Sequence, residues 1–171
     1  MKFTATIIAT AALVAAVAAD YAAVQTDVSN IQVSVGKLYQ ALKATSGTSY
    51  SEALAIDSAA KALIKDINAA NTDAQAVDNI TDDQAKSVIS VLSDTYVNVT
   101  GASQRLIDLQ PAFKKLGVAG IAKTDTNNVA SATKTFAATL VDKTPEASKD
   151  SASKLASDYN NALASAVAAY A

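Results

Sequence analysis

Residues 117 to 124 read GVAGIAKT, one residue away from the phosphate-binding pattern G-x-x-x-x-G-K-[ST]. In that pattern a loop between a strand and a helix wraps phosphate in backbone N–H groups, and the lysine and hydroxyl complete the site. Here Ala122 replaces the second glycine, a helical stretch comes before, and Pro111 opens the region. The string is not read as a nucleotide site. Histidine and cysteine are both absent, so there is no imidazole for a Ser-His-Asp triad and no Cys or His cluster for zinc. The acids are mostly isolated aspartates, with Glu52 and Glu146 as the only glutamates. No enzyme and no cofactor is expected.

Two kinds of side chain could still hold a ligand. Arg105 is the only arginine and could grip a carboxylate through two parallel hydrogen bonds. Asp108 stands three residues on, and a surface pair at that spacing is the favoured reading. Thr95, Ser103 and Thr133 fall on or beside inward helix faces, where a hydroxyl could bind a carboxylate head group. Bonding back to their own helix is the competing reading.

The elements that must position these groups begin after residue 19. MKFTATIIATAALVAAVAA carries Lys2, a short apolar run and small residues before Asp20, the pattern of a secretory signal peptide over residues 1–19. The mature domain is then 20–171, which is 171 − 19 = 152 residues, long enough for a substantial core. Without cysteine its stability must come from packing alone. Its scattered lysines give no clustered basic face, so no nucleic-acid partner is expected. Lys114 and Lys115 are too few for attachment to anionic lipid, which takes about four to eight basic residues. Sequons at Asn79 and Asn98 make both candidates for glycosylation, Asn79 in a loop and Asn98 inside a predicted helix.

Helical periodicity runs through the mature chain. Tyr21, Val24, Val28, Ile31, Val35, Leu38 and Leu42 step by three and four. Ile56, Ala60, Leu63, Ile67, Ala70 and Ala74 form a second stripe, beginning near Ser51. Thr81-Asp82-Asp83-Gln84 reads as a capping box opening a third helix with Ala85, Val88, Leu92, Thr95, Val99, Ala102, Leu106 and Leu109 on one face. Pro111 is expected to start a short separate segment near 111–118, with Phe113 and Leu116 inward and Gly117 ending a turn. Thr124 to Thr126 are expected to cap a helix carrying Val129, Thr133, Phe136 and Leu140. Pro145 restarts the chain for a last helix with Leu155, Tyr159 and Leu163 inward. No convincing strand alternation appears. The expectation is an all-α, single antiparallel helical bundle of about five helices, four long and one short segment near 111–118.

In this order and spacing the chain resembles the fungal hydrophobic surface binding protein A family, also called the cell wall galactomannoprotein family. The resemblance rests on the Asp27-Val28 and Ile31 stripe, the third helix passing into Pro111-Ala112-Phe113, the Lys143-Thr144-Pro145 restart and the ending Ala168-Ala169-Tyr170. It implies a secreted or wall-associated, non-enzymatic helical protein. Adsorption to hydrophobic solid surfaces, assistance to secreted cutinase-like, polyester-degrading esterases and binding of a fatty acid or other lipid between the helices belong to the same implication.

The residues expected to converge on the bundle interior, and so to bind ligand, are Leu38, Leu42, Leu63, Ile67, Val88, Leu92, Tyr96, Phe113, Leu116, Phe136, Leu140, Tyr159 and Leu163. The bland alternative is an ordinary core. Three functional classes remain at this level: a carrier holding lipid inside the bundle, a surfactant-like protein spreading its apolar faces, and a structural wall mannoprotein without a small-molecule ligand. The leader predicts that protein recovered from culture fluid begins at Asp20 or Ala19. N-terminal sequencing checks this, and an intact Met1 on exported protein would contradict it.

Overall fold

A computed structural model describes the backbone of residues 4–171 and the side chains of residues 21–171. The side chains of the proposed leader, residues 1–19, lie outside the described residues. Five helices follow one another: α1 (Thr4–Ala44), α2 (Tyr50–Ala76), α3 (Asp82–Leu116), α4 (Ala119–Lys143) and α5 (Glu146–Ala169). Among the described residues there is no strand.

Each helix buries the stripe its spacing predicts. Val24, Val28, Ile31, Val35 and Leu42 of α1 are buried, with Tyr21 and Leu38 half-buried beside them. The full α2 stripe from Ile56 to Ala74 is buried. Val129, Thr133, Phe136 and Leu140 of α4 are buried as well, as are Ala152, Leu155, Tyr159, Leu163 and Ala166 of α5. Ser49 caps α2, its side chain accepting from the Glu52 N–H. At Thr81 the capping box is formed on both sides: the Gln84 N–H donates to Thr81 Oγ1 at 3.2 Å, and the Thr81 N–H to Gln84 Oε1 at 2.9 Å.

Two expectations about the middle of the chain are corrected. Residues 111–118 are not a separate short segment, because α3 continues through Pro111 to Leu116. Proline inside a helix forfeits a backbone hydrogen bond and costs about 3 kcal/mol. Continuing the helix buries Phe113, only 2% exposed, on the face that already carries Leu109. Burial of one large apolar side chain contributes about 1.5–3 kcal/mol, enough to offset most of that cost. The helix ends instead at Gly117, whose φ of 82° is left-handed. Its N–H bonds the Lys114 carbonyl and the Val118 N–H the Phe113 carbonyl, a Schellman closure. Thr124 and Thr126 do not cap α4, which has already begun at Ala119. Their hydroxyls donate to the Gly120 and Ala122 carbonyls one turn back.

The helices close into a ring in the order α1, α2, α4, α5, α3, with α3 returning to α1 and barely touching α4. Polar ties at the ends fix this arrangement. At one end Lys143 Nζ donates to the Val77 carbonyl and Ser148 bonds Asp82, joining α4 to α2 and α5 to α3. At the other, Tyr170 Oη donates to the Leu106 carbonyl at 2.8 Å. Between α1 and α3, Gly101 admits the Tyr39 ring, since a Cβ there would stand 2.6 Å from that ring.

Arg105 supplies a further tie and corrects another expectation. It does not pair with Asp108, which accepts from Gln104 Nε2. Its Nε donates to the Leu42 carbonyl at 3.1 Å and its Nη2 to the Thr45 carbonyl at 2.8 Å, placing a cation on the C-terminal end of α1. Arg105→Ala is predicted to lower stability by roughly 1.5–3 kcal/mol, the worth of hydrogen bonds to a charged group. Asp108→Ala should change it by less than about 0.5 kcal/mol. Urea unfolding of both variants checks the pair.

Candidate functional site: an axial apolar cavity

Neighbouring packed helices stand about 8–10 Å apart. Five in a ring then place each axis roughly 8 Å from the centre, against roughly 6–7 Å for four. A helix with its side chains has a radius of about 5–6 Å, so a five-helix ring leaves axial space unless long side chains fill it. Here Ala60, Ala102, Ala122, Ala137, Ala152, Ala156 and Ala166 face that space and cannot. The result is a cavity of about 110 Å³ that opens to solvent. Along α4 its lining runs from Ala122 to Leu140, roughly 27 Å at about 1.5 Å per residue.

Nine of the residues expected at the site line this cavity: Leu38 and Leu42 of α1, Leu63 and Ile67 of α2, Leu92 of α3, Phe136 and Leu140 of α4, and Tyr159 and Leu163 of α5. Four do not. Val88 is buried in the surrounding core, nearer the other end of α3. Tyr96 is half-buried, with its ring centroid 5.4 Å from that of Tyr159. Phe113 belongs to a satellite core with Leu42, Leu109, Val118 and Tyr170, and Leu116 packs against that cluster. Phe113 lines only a smaller surface pocket between the starts of α2 and α4. The expectation that Phe113 and Leu116 join the ligand-binding residues of the bundle interior is corrected accordingly. Their face turns toward the end of the bundle once α3 continues past Pro111.

The structure adds residues that the sequence reading placed only in stripes or not at all. Ile31, Val35, Val99, Leu106, Val129 and Leu155 complete the apolar wall. Among the three candidate hydroxyls, Thr95 bonds back to the Val91 carbonyl at 2.7 Å. Ser103 and Thr133 line the cavity at 7% and 9% exposure, and neither hydroxyl makes a hydrogen bond among the described residues. Tyr159 does not offer its hydroxyl, which donates to the Leu92 carbonyl at 2.7 Å. Burial, followed by the neighbouring Tyr96, pushes that phenol above its ordinary range.

One acid lines the cavity, and the sequence reading missed it. Asp125 sits where the cavity and the smaller pocket share the residues Ile56, Ala122 and Asp125. Burial raises its pKa to about 6, the Asp57 carboxylate pushes in the same direction, and Lys61 opposes both. Asp57 itself accepts from Lys61 Nζ at 2.8 Å. No lysine or arginine lines the cavity. Among the described residues, no group of three or more His, Cys, Asp or Glu could hold a metal ion, and no helix is long and apolar enough to cross a membrane.

Solved structures share this architecture. The crystal structure of AFMP4P in complex with palmitic acid matches with a TM-score of 0.83 at 24% identity, covering 88% of this chain and 99% of that one. Ligand binding domain 1 of the Penicillium marneffei MP1 protein, complexed with arachidonic acids, matches with a TM-score of 0.82 at 16% identity, covering 89% and 99%. Ligand binding domain 2 of the same protein, also with arachidonic acids, gives 0.80 at 18% identity, covering 88% and 93%. At these identities the likeness shows the fold. No curated protein sequence matches the chain. The family model described as Hydrophobic surface binding protein A matches residues 21–142, well over half the length, and the chain belongs to that family.

Proposed function

We propose that the chain is a secreted, non-enzymatic protein that holds a long-chain fatty acid or similar lipid along the axis of its five-helix ring. The observation that carries this reading is the cavity itself, long, narrow and apolar, with only a few polar groups along its length. Apolar cavities of this kind stay dry and take up apolar ligands, and an acyl chain would supply the dispersion contacts that the facing alanines cannot make with one another. Neighbours of the same fold crystallised with palmitic and arachidonic acids support the ligand class.

Adsorption to hydrophobic surfaces and assistance to a polyester-degrading esterase are part of the same proposal, on the strength of the family. Tyr50, Leu54, Ile121, Val33 and Val97 are exposed apolar side chains that could meet such a surface. A cell-wall mannoprotein role is the second reading. Asn79 is exposed in the connection between α2 and α3, where a glycan would find room, whereas Asn98 is half-buried within α3.

The test fills the cavity instead of dismantling it. Ala137→Phe combined with Ala156→Phe puts two rings where the ligand would lie. The double variant should keep its helical spectrum and weaken palmitic acid binding by at least about tenfold, equivalent to ~1.4 kcal/mol. Undiminished binding by the folded double variant would remove the cavity from the function. Phe113→Ser with Leu116→Ser should instead lower the melting temperature by loosening the satellite core, while the folded fraction still binds palmitic acid.

A further inference from the structure

The lining of the cavity has one sign of charge. Asp125 is its only aspartate or glutamate, and no lysine or arginine accompanies it. Arg105 is held on the carbonyls of Leu42 and Thr45, and Lys61, mostly exposed, is engaged by Asp57. Asp57 and Lys61, both on α2, are the charged groups that act on Asp125, and α3 and α5 supply none. An ionised carboxylate drawn into this cavity would lose water without gaining a cation and would meet a like charge at the throat.

Beyond the throat lies the small pocket between the starts of α2 and α4, flanked by the exposed side chains of Tyr50, Leu54 and Ile121. Deeper in, Ser103 and Thr133, both more than nine-tenths buried, line the cavity. Along α4, Thr133 stands eight residues from Asp125, roughly 12 Å at about 1.5 Å per residue.

We propose that the throat between α2 and α4 selects the protonation state of the ligand's head. It accepts a long-chain alcohol, or a carboxylic acid in its protonated form, whose hydroxyl donates to the Asp57–Asp125 pair, and it turns away the carboxylate anion. This rests on the carrier reading above and specifies the ligand it takes.

The experiment compares 1-hexadecanol with palmitic acid on delipidated protein, by displacement of an apolar fluorescent dye. Near pH 7.5 the wild type should prefer the alcohol by at least about tenfold, or ~1.4 kcal/mol, and the preference should shrink toward about pH 5. Because palmitic acid titrates on its own account, the decisive comparison is made at one pH. Near pH 7.5, Asp125→Asn should tighten palmitic acid binding by about tenfold, whereas hexadecanol, which loses a charged acceptor for its hydroxyl, should bind no more tightly than to the wild type. A ratio of the two affinities that is the same in Asp125→Asn and wild type overturns the proposal and leaves the carrier reading standing. A wild type that binds neither ligand refutes the carrier reading, and this inference with it.

Folding is followed alongside. The native state raises the pKa of Asp125 to about 6, so it favours the protonated acid, and stability is lost as pH rises from the unfolded value toward and through 6. Asp125→Asn should therefore raise the melting temperature near neutral pH and leave it little changed near pH 4. Should that variant not fold, Asp125→Ser removes the same like charge and is read against the same affinity ratio.

Discussion

The packing of five alanine-faced helices around one axis is the constraint on which the rest of the structure depends. Each pair of neighbours in the ring can pack closely, yet the ring as a whole cannot fill its centre with the side chains it has. Val24 and Val28 of α1, Ala70 and Ala74 of α2 and Val88 of α3 belong to one continuous core, whereas Ala60, Ala137, Ala152 and Ala166 look across a gap. A core of this type has lower packing density than the usual interior. Its stability must come from the seams between helices and from their ends.

Those ends carry unusual weight for a chain without a disulfide. Arg105 secures the C-terminus of α1, Lys143 that of α2, and Tyr170 holds α5 to α3. All of these bonds end on backbone carbonyls of another element. Such bonds define where the helix ends sit without adding side chains to the centre. The satellite core around Phe113 and Val118 closes the same end at which α2 and α4 begin, so the throat at Asp125 is framed by well-anchored elements.

Much of this was legible in the residues. The three- and four-residue stepping from Val24 to Leu42 and from Ile56 to Ala74 is a direct consequence of helix geometry, and the Thr81–Gln84 capping box is a local interaction that spacing alone reveals. The course of α3 through Pro111 was not legible, because a local penalty at the proline is largely offset by burial of Phe113 against distant parts of the chain. Arg105 was misread for the same reason: its partners, Leu42 and Thr45, are about sixty residues away. The distinction between core and cavity was the hardest to see. Periodicity says which side chains point inward; it does not say whether the opposite side chains meet. That depends on the number of helices in the ring and on which of them are neighbours. Asp125 escaped notice because a lone aspartate on a helix otherwise reads as a solvated residue.

The claim at the centre of this account is that an acyl chain lies inside the ring and not merely on its outer surface. Intermolecular NOEs from uniformly 13C-labelled palmitic acid to the protein's methyl groups test that claim most directly. The account predicts contacts from the acyl chain to Leu63, Ile67 and Leu163, which face the axis on α2 and α5. Contacts confined to the exposed Val33, Leu54 and Val97 would contradict it and make the outer surface the functional one.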